Sequence, residues 1–364
     1  MYSMSGIKMK KRLYGLDYLR IVAALIIYWY HFTIFIGGVS LGNVINRLTY
    51  TGNVVMTLFF IISGFALYYN YSDRDYSELS VLKDFFKRRF VSIFPLYFIS
   101  VLLWFITSRH MLSITEVLVL IPLGLTMTPT AMFGCNGFSF GGYLWFMSAM
   151  LFCYLAFPYL SMIITKMDNR SRVAMLSVLY VLLCSGSLTQ QFTFGEATSA
   201  YGSQVFRMME FATGMIICAF YKDDKIKLKR PDLAFVISII VTLSARYIAV
   251  VLNDVSVYIS DFYLLPIYGV LIFCAASLDE GSMLYKAAAA RPVQYFSKLT
   301  FGIYIMQQWT FIFYNKALDS FAGGTGWFAD RVLRSHSTIK IAACCLVLAM
   351  IATWMSDRVK KRLL

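Results

Sequence analysis

The first apolar block of this chain carries two residues able to do chemistry. The segment from Leu16 to Ile36 is almost wholly apolar or aromatic, yet it holds Arg20 and, eleven positions later, His31. On an α-helix eleven residues turn through about 1100°, three turns plus roughly 20°, so both side chains project from one face, about 16 Å apart along the axis. Ionisable groups inside a bilayer are costly, and imidazole is suited to moving a proton near neutral pH. The plainer alternative is an arginine that snorkels to the headgroups and a histidine bonded to a neighbouring helix. Lys87, Arg88 and Arg89 are three adjacent cations at the mouth of the third apolar block. Forked arginine donors suit phosphates, while topology anchoring is the ordinary alternative. Arg207 and Glu210 stand one helical turn apart and face each other or a common cavity, as structural or as catalytic partners.

The elements that must position these residues are transmembrane helices. Of 364 residues, 59% are apolar and 14% are charged, whereas soluble domains carry about a quarter charged residues. The apolar residues form blocks of about 17–22, the length that spans hydrocarbon as a helix. Barrel strands are about ten residues long and alternate polar with apolar, so they are excluded. The expected class is all-α: a polytopic transmembrane helical bundle, one domain over residues 1–364. The net charge of +14 is spread over short loops, which fits topology signals in a lipid bilayer and argues against nucleic acid. The seven cysteines are scattered, with none at metal or redox spacing, so neither a metal site nor a disulfide framework is expected. The first block is too long for a signal-peptide core and should remain as a helix.

Spans are predicted near 16–37, 52–71, 90–107, 143–165, 173–191, 204–221, 232–252, 260–277, 298–315 and 338–355. One further stretch, 113–128, is broken by Pro122 and Gly124. If it does not span, the basic amino terminus, the loops 72–89, 166–172, 222–230 and 278–297, and the tail Arg358 to Arg362 all fall on one side. The opposite loops 192–203 and 253–259 contain no Lys or Arg. The positive-inside rule therefore predicts about ten spans with both termini cytoplasmic. The 113–128 stretch is then re-entrant or surface-lying on the other side. Lys316, Arg331 and Arg334 in the loop 316–337 run against this pattern.

Asp17-Tyr-Leu-Arg20, ten residues, then His31 resembles the opening signature of the acyltransferase-three family of membrane O-acyltransferases. Four further segments follow in that family's order. They are Phe59-Phe-Ile-Ile-Ser-Gly-Phe65, Phe86-Lys-Arg-Arg-Phe-Val-Ser-Ile-Phe-Pro-Leu-Tyr97, Tyr143-Leu-Trp-Phe-Met147 with Phe157-Pro158, and Phe206-Arg-Met-Met-Glu-Phe-Ala-Thr-Gly214. One departure is clear: the family's late Tyr-Leu-x-His element reads Tyr304-Ile-Met-Gln307 here, so no second histidine is available at that place.

The resemblance implies transfer of an acyl group, usually acetyl, from cytoplasmic acetyl-CoA to a hydroxyl of a carbohydrate or lipid-linked glycan. The transfer crosses a membrane, expected to be a bacterial cytoplasmic (inner) membrane. It implies catalysis by His31 with Arg20, donor phosphates at Lys87, Arg88 and Arg89, and substrate or structural support from Ser63, Tyr97, Trp145, Arg207, Glu210 and Tyr304. The imidazole either takes the acceptor's proton or carries the acyl group itself. Tyr28, Trp29, Tyr30, Tyr143 and Trp145 are expected in the interfacial aromatic belt, with stacking on a sugar ring as the alternative. His110 and His336 receive no role. The competing class is a polysaccharide or lipid-linked sugar exporter or polymerase. An exporter favours pseudo-repeats and charges in both halves, and a polymerase an Arg-rich outer loop; neither explains a basic loop facing Arg20 and His31.

Overall fold

A computed structural model describes residues 11–36, 52–108, 145–194, 202–252, 261–322 and 337–364, with the single positions 114 and 118. These residues form eleven α-helices and no strand. In chain order they are α1 (Gly15–Phe35), α2 (Val55–Tyr71), α3 (Leu79–Ser108), α4 (Trp145–Lys166), α5 (Asn169–Phe194), α6 (Gln204–Lys222), α7 (Pro231–Leu252), α8 (Asp261–Ala276), the short α9 (Met283–Ala289), α10 (Arg291–Ala322) and α11 (Ser337–Leu363). All but α9 coincide with an apolar block of the sequence. The 113–128 stretch apart from those two positions, the loops 134–142 and 253–259, most of 192–203 and of 316–337, and His110, Tyr143 and His336 lie outside the described residues.

Helices α1, α3, α4, α7 and α11 are each long and apolar enough to cross a membrane. Helices α6 and α10 are diluted by polar residues, and the structure turns many of these inward: Arg207, Glu210 and Thr213 on α6, and Ser297, Thr300, Gln307, Gln308 and Thr310 on α10 are buried. An inward polar stripe lowers mean hydropathy without wetting the outer face. Helices α3, α4 and α8 run through Pro95, Pro158 and Pro266. In hydrocarbon, a broken helix would leave backbone groups unsatisfied, so a kink is the cheaper outcome.

The centre of the bundle is the crossing of α2 with α6, and glycine sets its distance. A Cβ on Gly64 would lie 1.9 Å from the Phe211 carbonyl oxygen, and one on Gly214 would lie 2.0 Å from that of Ile61. Each glycine thus receives the other helix's backbone, which is how small residues let membrane helices approach. Both belong to segments that carry the family resemblance. On the flank, α1 packs along α10, with Tyr28 against Phe311 at 5.6 Å between ring centres and Phe32 against the same ring at 6.1 Å.

Ion pairs gather one end of the bundle. Lys11 pairs with Glu280 at 3.0 Å, Arg172 with Asp223 at 2.6 Å, and Lys222 with Asp73. The segments that follow α2, α4 and α6 therefore meet one another, and the one that follows α8 meets the start of α1. One expectation changes here. Residues 72–89 are not a loop, because α3 begins at Leu79 and takes the three adjacent cations into its first turns.

Candidate active site

Asp17 explains why the motif at the start of α1 has its spacing. Arg20 Nη1 donates to Asp17 Oδ1 at 3.0 Å, one turn back. The same carboxylate accepts from Ser297 Oγ at 2.8 Å and from Gln294 Nε2 at 3.0 Å, and Arg12 lies 3.7 Å away. Asp17 is buried, so three donors from α1 and α10, with the Arg12 guanidinium of the preceding segment nearby, compensate its desolvation. The outcome is positional: α1 is locked to α10, and Arg20 is aimed.

Arg20 is aimed into a cavity of about 280 Å³. Its walls come from α1, α2, α3, α4, α10 and α11, and include Ser63, Phe146, Met147, Tyr154 and Tyr304. At the mouth stand Lys298, Asp357 and Lys360. Lys298 pairs with Asp357, and Lys360 lies 4.0 Å from the same carboxylate. Three cations therefore face the cavity against one carboxylate in its wall. Tyr154 stands within electrostatic reach of both Arg20 and Arg89, so Arg89 adds to this positive end.

His31 lies further along α1. Its imidazole rests against the Gln307 side chain and the Ile27 carbonyl, with the Tyr30 ring 5.1 Å away. Gln307 is wholly buried. The one departure from the family pattern thus sits against the candidate catalytic histidine. Tyr304, on the cavity wall, is one helical turn before Gln307. The cavity therefore starts among cations and its wall reaches to within a turn of the His31–Gln307 contact.

The three adjacent cations separate. Consecutive residues of a helix point about 100° apart, so a run in sequence becomes a fan in space. Lys87 is exposed. Arg88 bonds both carboxylate oxygens of Asp84, at 2.8 and 2.9 Å, and Arg74 donates to the same group at 3.0 Å. Arg89 turns inward, donates to the Tyr71 hydroxyl at 2.8 Å and stacks on that ring at 4.9 Å.

Arg207 and Glu210 form a sealed node. Arg207 Nη1 donates to both oxygens of Glu210 at 2.8 Å, and Thr57 donates to Glu210 Oε1 at 3.0 Å. The guanidinium stacks over Phe60 at 5.4 Å and Trp145 at 5.5 Å. Aromatic contacts then run from Phe60 through Phe146 to Tyr304, at 5.2 and 5.1 Å. Tyr97 is buried away from the cavity wall. Trp145 and Tyr28, expected in an interfacial belt, are both buried within the bundle, whereas Trp29 and Tyr30 are half-buried. Lys298, Asp357 and Lys360 escape a reading of the sequence because each resembles an ordinary loop charge. Gln294, Ser297 and Thr57 leave no signal beyond being polar at helix positions.

No curated protein and no solved structure gives a match. A family model described as an acyltransferase domain matches residues 13–357, from just before the Asp17–Arg20 motif to Asp357 at the cavity mouth. The chain is thus an integral membrane acyltransferase, and it belongs to the acyltransferase-three family.

Proposed function

We propose that this enzyme moves an acetyl group from acetyl-CoA, taken up on the cytoplasmic side, to a hydroxyl of a carbohydrate or lipid-linked glycan on the other side of a bacterial cytoplasmic membrane. The observation that carries the reading is the cavity with Arg20, Lys298 and Lys360 at one end and a wall that reaches toward His31. The positive end suits the phosphates of CoA, with Arg89 beside it. A cavity of about 280 Å³ suits the thin pantetheine arm better than the nucleotide, which stays at the mouth. In this arrangement the basic end of the bundle is cytoplasmic, as are both termini, and ten helices span.

The chemistry needs a group that takes a proton deep in the bundle. The acceptor oxygen attacks the thioester carbonyl, an ester C–O bond forms and the C–S bond breaks. His31 takes the hydroxyl proton and returns it to the departing thiolate. Gln307 positions the imidazole, and Asp17 positions Arg20 beside the donor. Purified protein incubated with radiolabelled acetyl-CoA and cell glycans should label a glycan fraction. Absence of label, in protein that retains CoA, would refute donor-to-glycan transfer.

A further inference from the structure

A hydroxyl on a membrane helix ordinarily bonds a backbone carbonyl about one turn back, because hydrocarbon offers it no other partner. Thr213, Thr242 and Thr310 do so, at 3.0, 2.7 and 2.9 Å. In the wall of the reaction cavity Thr300 follows the same rule, donating to the Ser297 carbonyl at 2.8 Å. Three other hydroxyls of that wall do not. Ser63 on α2, Ser92 on α3 and Thr353 on α11 line the cavity, and none has a hydrogen-bond partner among the described residues. Thr353 is buried, and Ser63 and Ser92 are half-buried. A glycine leaves Thr353 its space: a Cβ on Gly302 would lie 2.6 Å from Thr353 Oγ1.

These hydroxyls lie inward of the cations, at stepped depths. Ser92 follows Arg89 on α3 by about 4.5 Å of helix rise, and Thr353 precedes Lys360 on α11 by about 10 Å. Ser63 precedes Tyr71, the partner of Arg89, by about 12 Å on α2. Between them the wall is apolar, with Met56, Ile93, Leu96 and Met147. The cavity thus changes character from mouth to interior, from charge to neutral hydroxyls set among hydrocarbon side chains. A hydroxyl both donates and accepts, so it can pair with either side of an amide. Such a wall suits a neutral, extended ligand in which amides alternate with methylene groups. Hydroxyls left unpaired in a dry wall cost stability, and a ligand that pairs them recovers it.

We propose that Ser63, Ser92 and Thr353 hold the amides of the donor's pantetheine arm, and so select an amide-bearing arm over a bare nucleotide. The inference rests on the acyl-CoA reading above and deepens it. The test is calorimetry on the full-length detergent-purified protein with two ligands, CoA and 3′-phospho-ADP, which is CoA without its pantetheine. Wild-type protein should bind CoA more tightly than 3′-phospho-ADP. The double variant S92A/T353V should bind CoA about tenfold more weakly, the loss of two neutral hydrogen bonds, and should bind 3′-phospho-ADP as wild type does. T353S, which keeps the hydroxyl, should bind CoA as wild type does. Wild-type CoA affinity in the double variant overturns the assignment. So does equal weakening of both ligands, which would place the damage at the nucleotide end. If T353V does not fold, S92A alone decides, by the same split between the two ligands. Wild-type protein that binds the two ligands equally overturns this inference and leaves the donor reading standing. Binding of neither ligand removes both.

Discussion

Two charged centres inside this bundle look alike in sequence and differ in structure. At the α2–α6 crossing, Arg207, Glu210 and Thr57 bond one another, and Phe60 and Trp145 cover the guanidinium. Arg207 and Glu210 are only 4% and 3% exposed. At the other centre, Arg20, Lys298, Lys360 and Asp357 border a cavity. Arg20 is a third exposed, and Lys298 about half exposed. The first centre meets its own hydrogen-bonding needs internally, so it stabilises a helix crossing. The second keeps an excess of positive charge facing open space, as the proposed anionic donor requires. Burial with internal satisfaction separates a scaffold from a site more sharply than residue type does.

That contrast can be broken by measurement. The largest effect is expected at the end of the functional route. His31→Gln should lower acetyl transfer by about 10²–10⁴-fold, because the amide keeps a hydrogen bond but cannot take a proton near neutral pH. Melting in detergent should stay near wild type. Near-normal turnover in this variant would leave His31 as a packing residue.

At the sealed node the opposite signature is expected. Glu210→Ala strands a buried guanidinium and should cost roughly 3–5 kcal/mol of stability. Replacing Arg207 and Glu210 together by Met and Leu should recover much of that cost. A single variant that melts normally but loses activity would move the node from scaffold to site.

Lys298→Ala and Lys360→Ala probe the open centre. Each removes one proposed phosphate contact at partly exposed positions, so CoA affinity should fall by about tenfold in the double variant, with stability changed by about 0.5 kcal/mol or less. Calorimetry with CoA and a thermal melt make the comparison. Affinity equal to wild type would show that the Asp357 pairs are only a clasp between α10 and α11.

The smallest effect distinguishes neighbours. Arg89→Ala should weaken CoA binding by a few-fold, whereas Arg88→Ala, which removes only an exposed pair with Asp84, should leave it unchanged. Equal losses in the two variants would restore the whole basic run as a donor clamp.

Much of this molecule is legible in its amino-acid sequence. Block length and the scarcity of charge specify spanning helices, because hydrocarbon allows little else. The spacing of Asp17, Arg20 and His31 on one helix depends only on helical periodicity, so local geometry suffices to align them. The ordered motifs are enough to indicate the family. What the chain does not disclose are meetings between residues far apart in sequence. Ser297 and Gln294 reach Asp17, Lys298 reaches Asp357, and Gln307 rests against His31, through the packing of α1, α10 and α11. The basic run misleads for a related reason: adjacency along a chain becomes divergence once the segment is helical. Local sequence determines which groups a helix carries and on which face. Tertiary structure decides what each face meets, because that depends on the close approach set by residues such as Gly64 and Gly214 elsewhere in the fold.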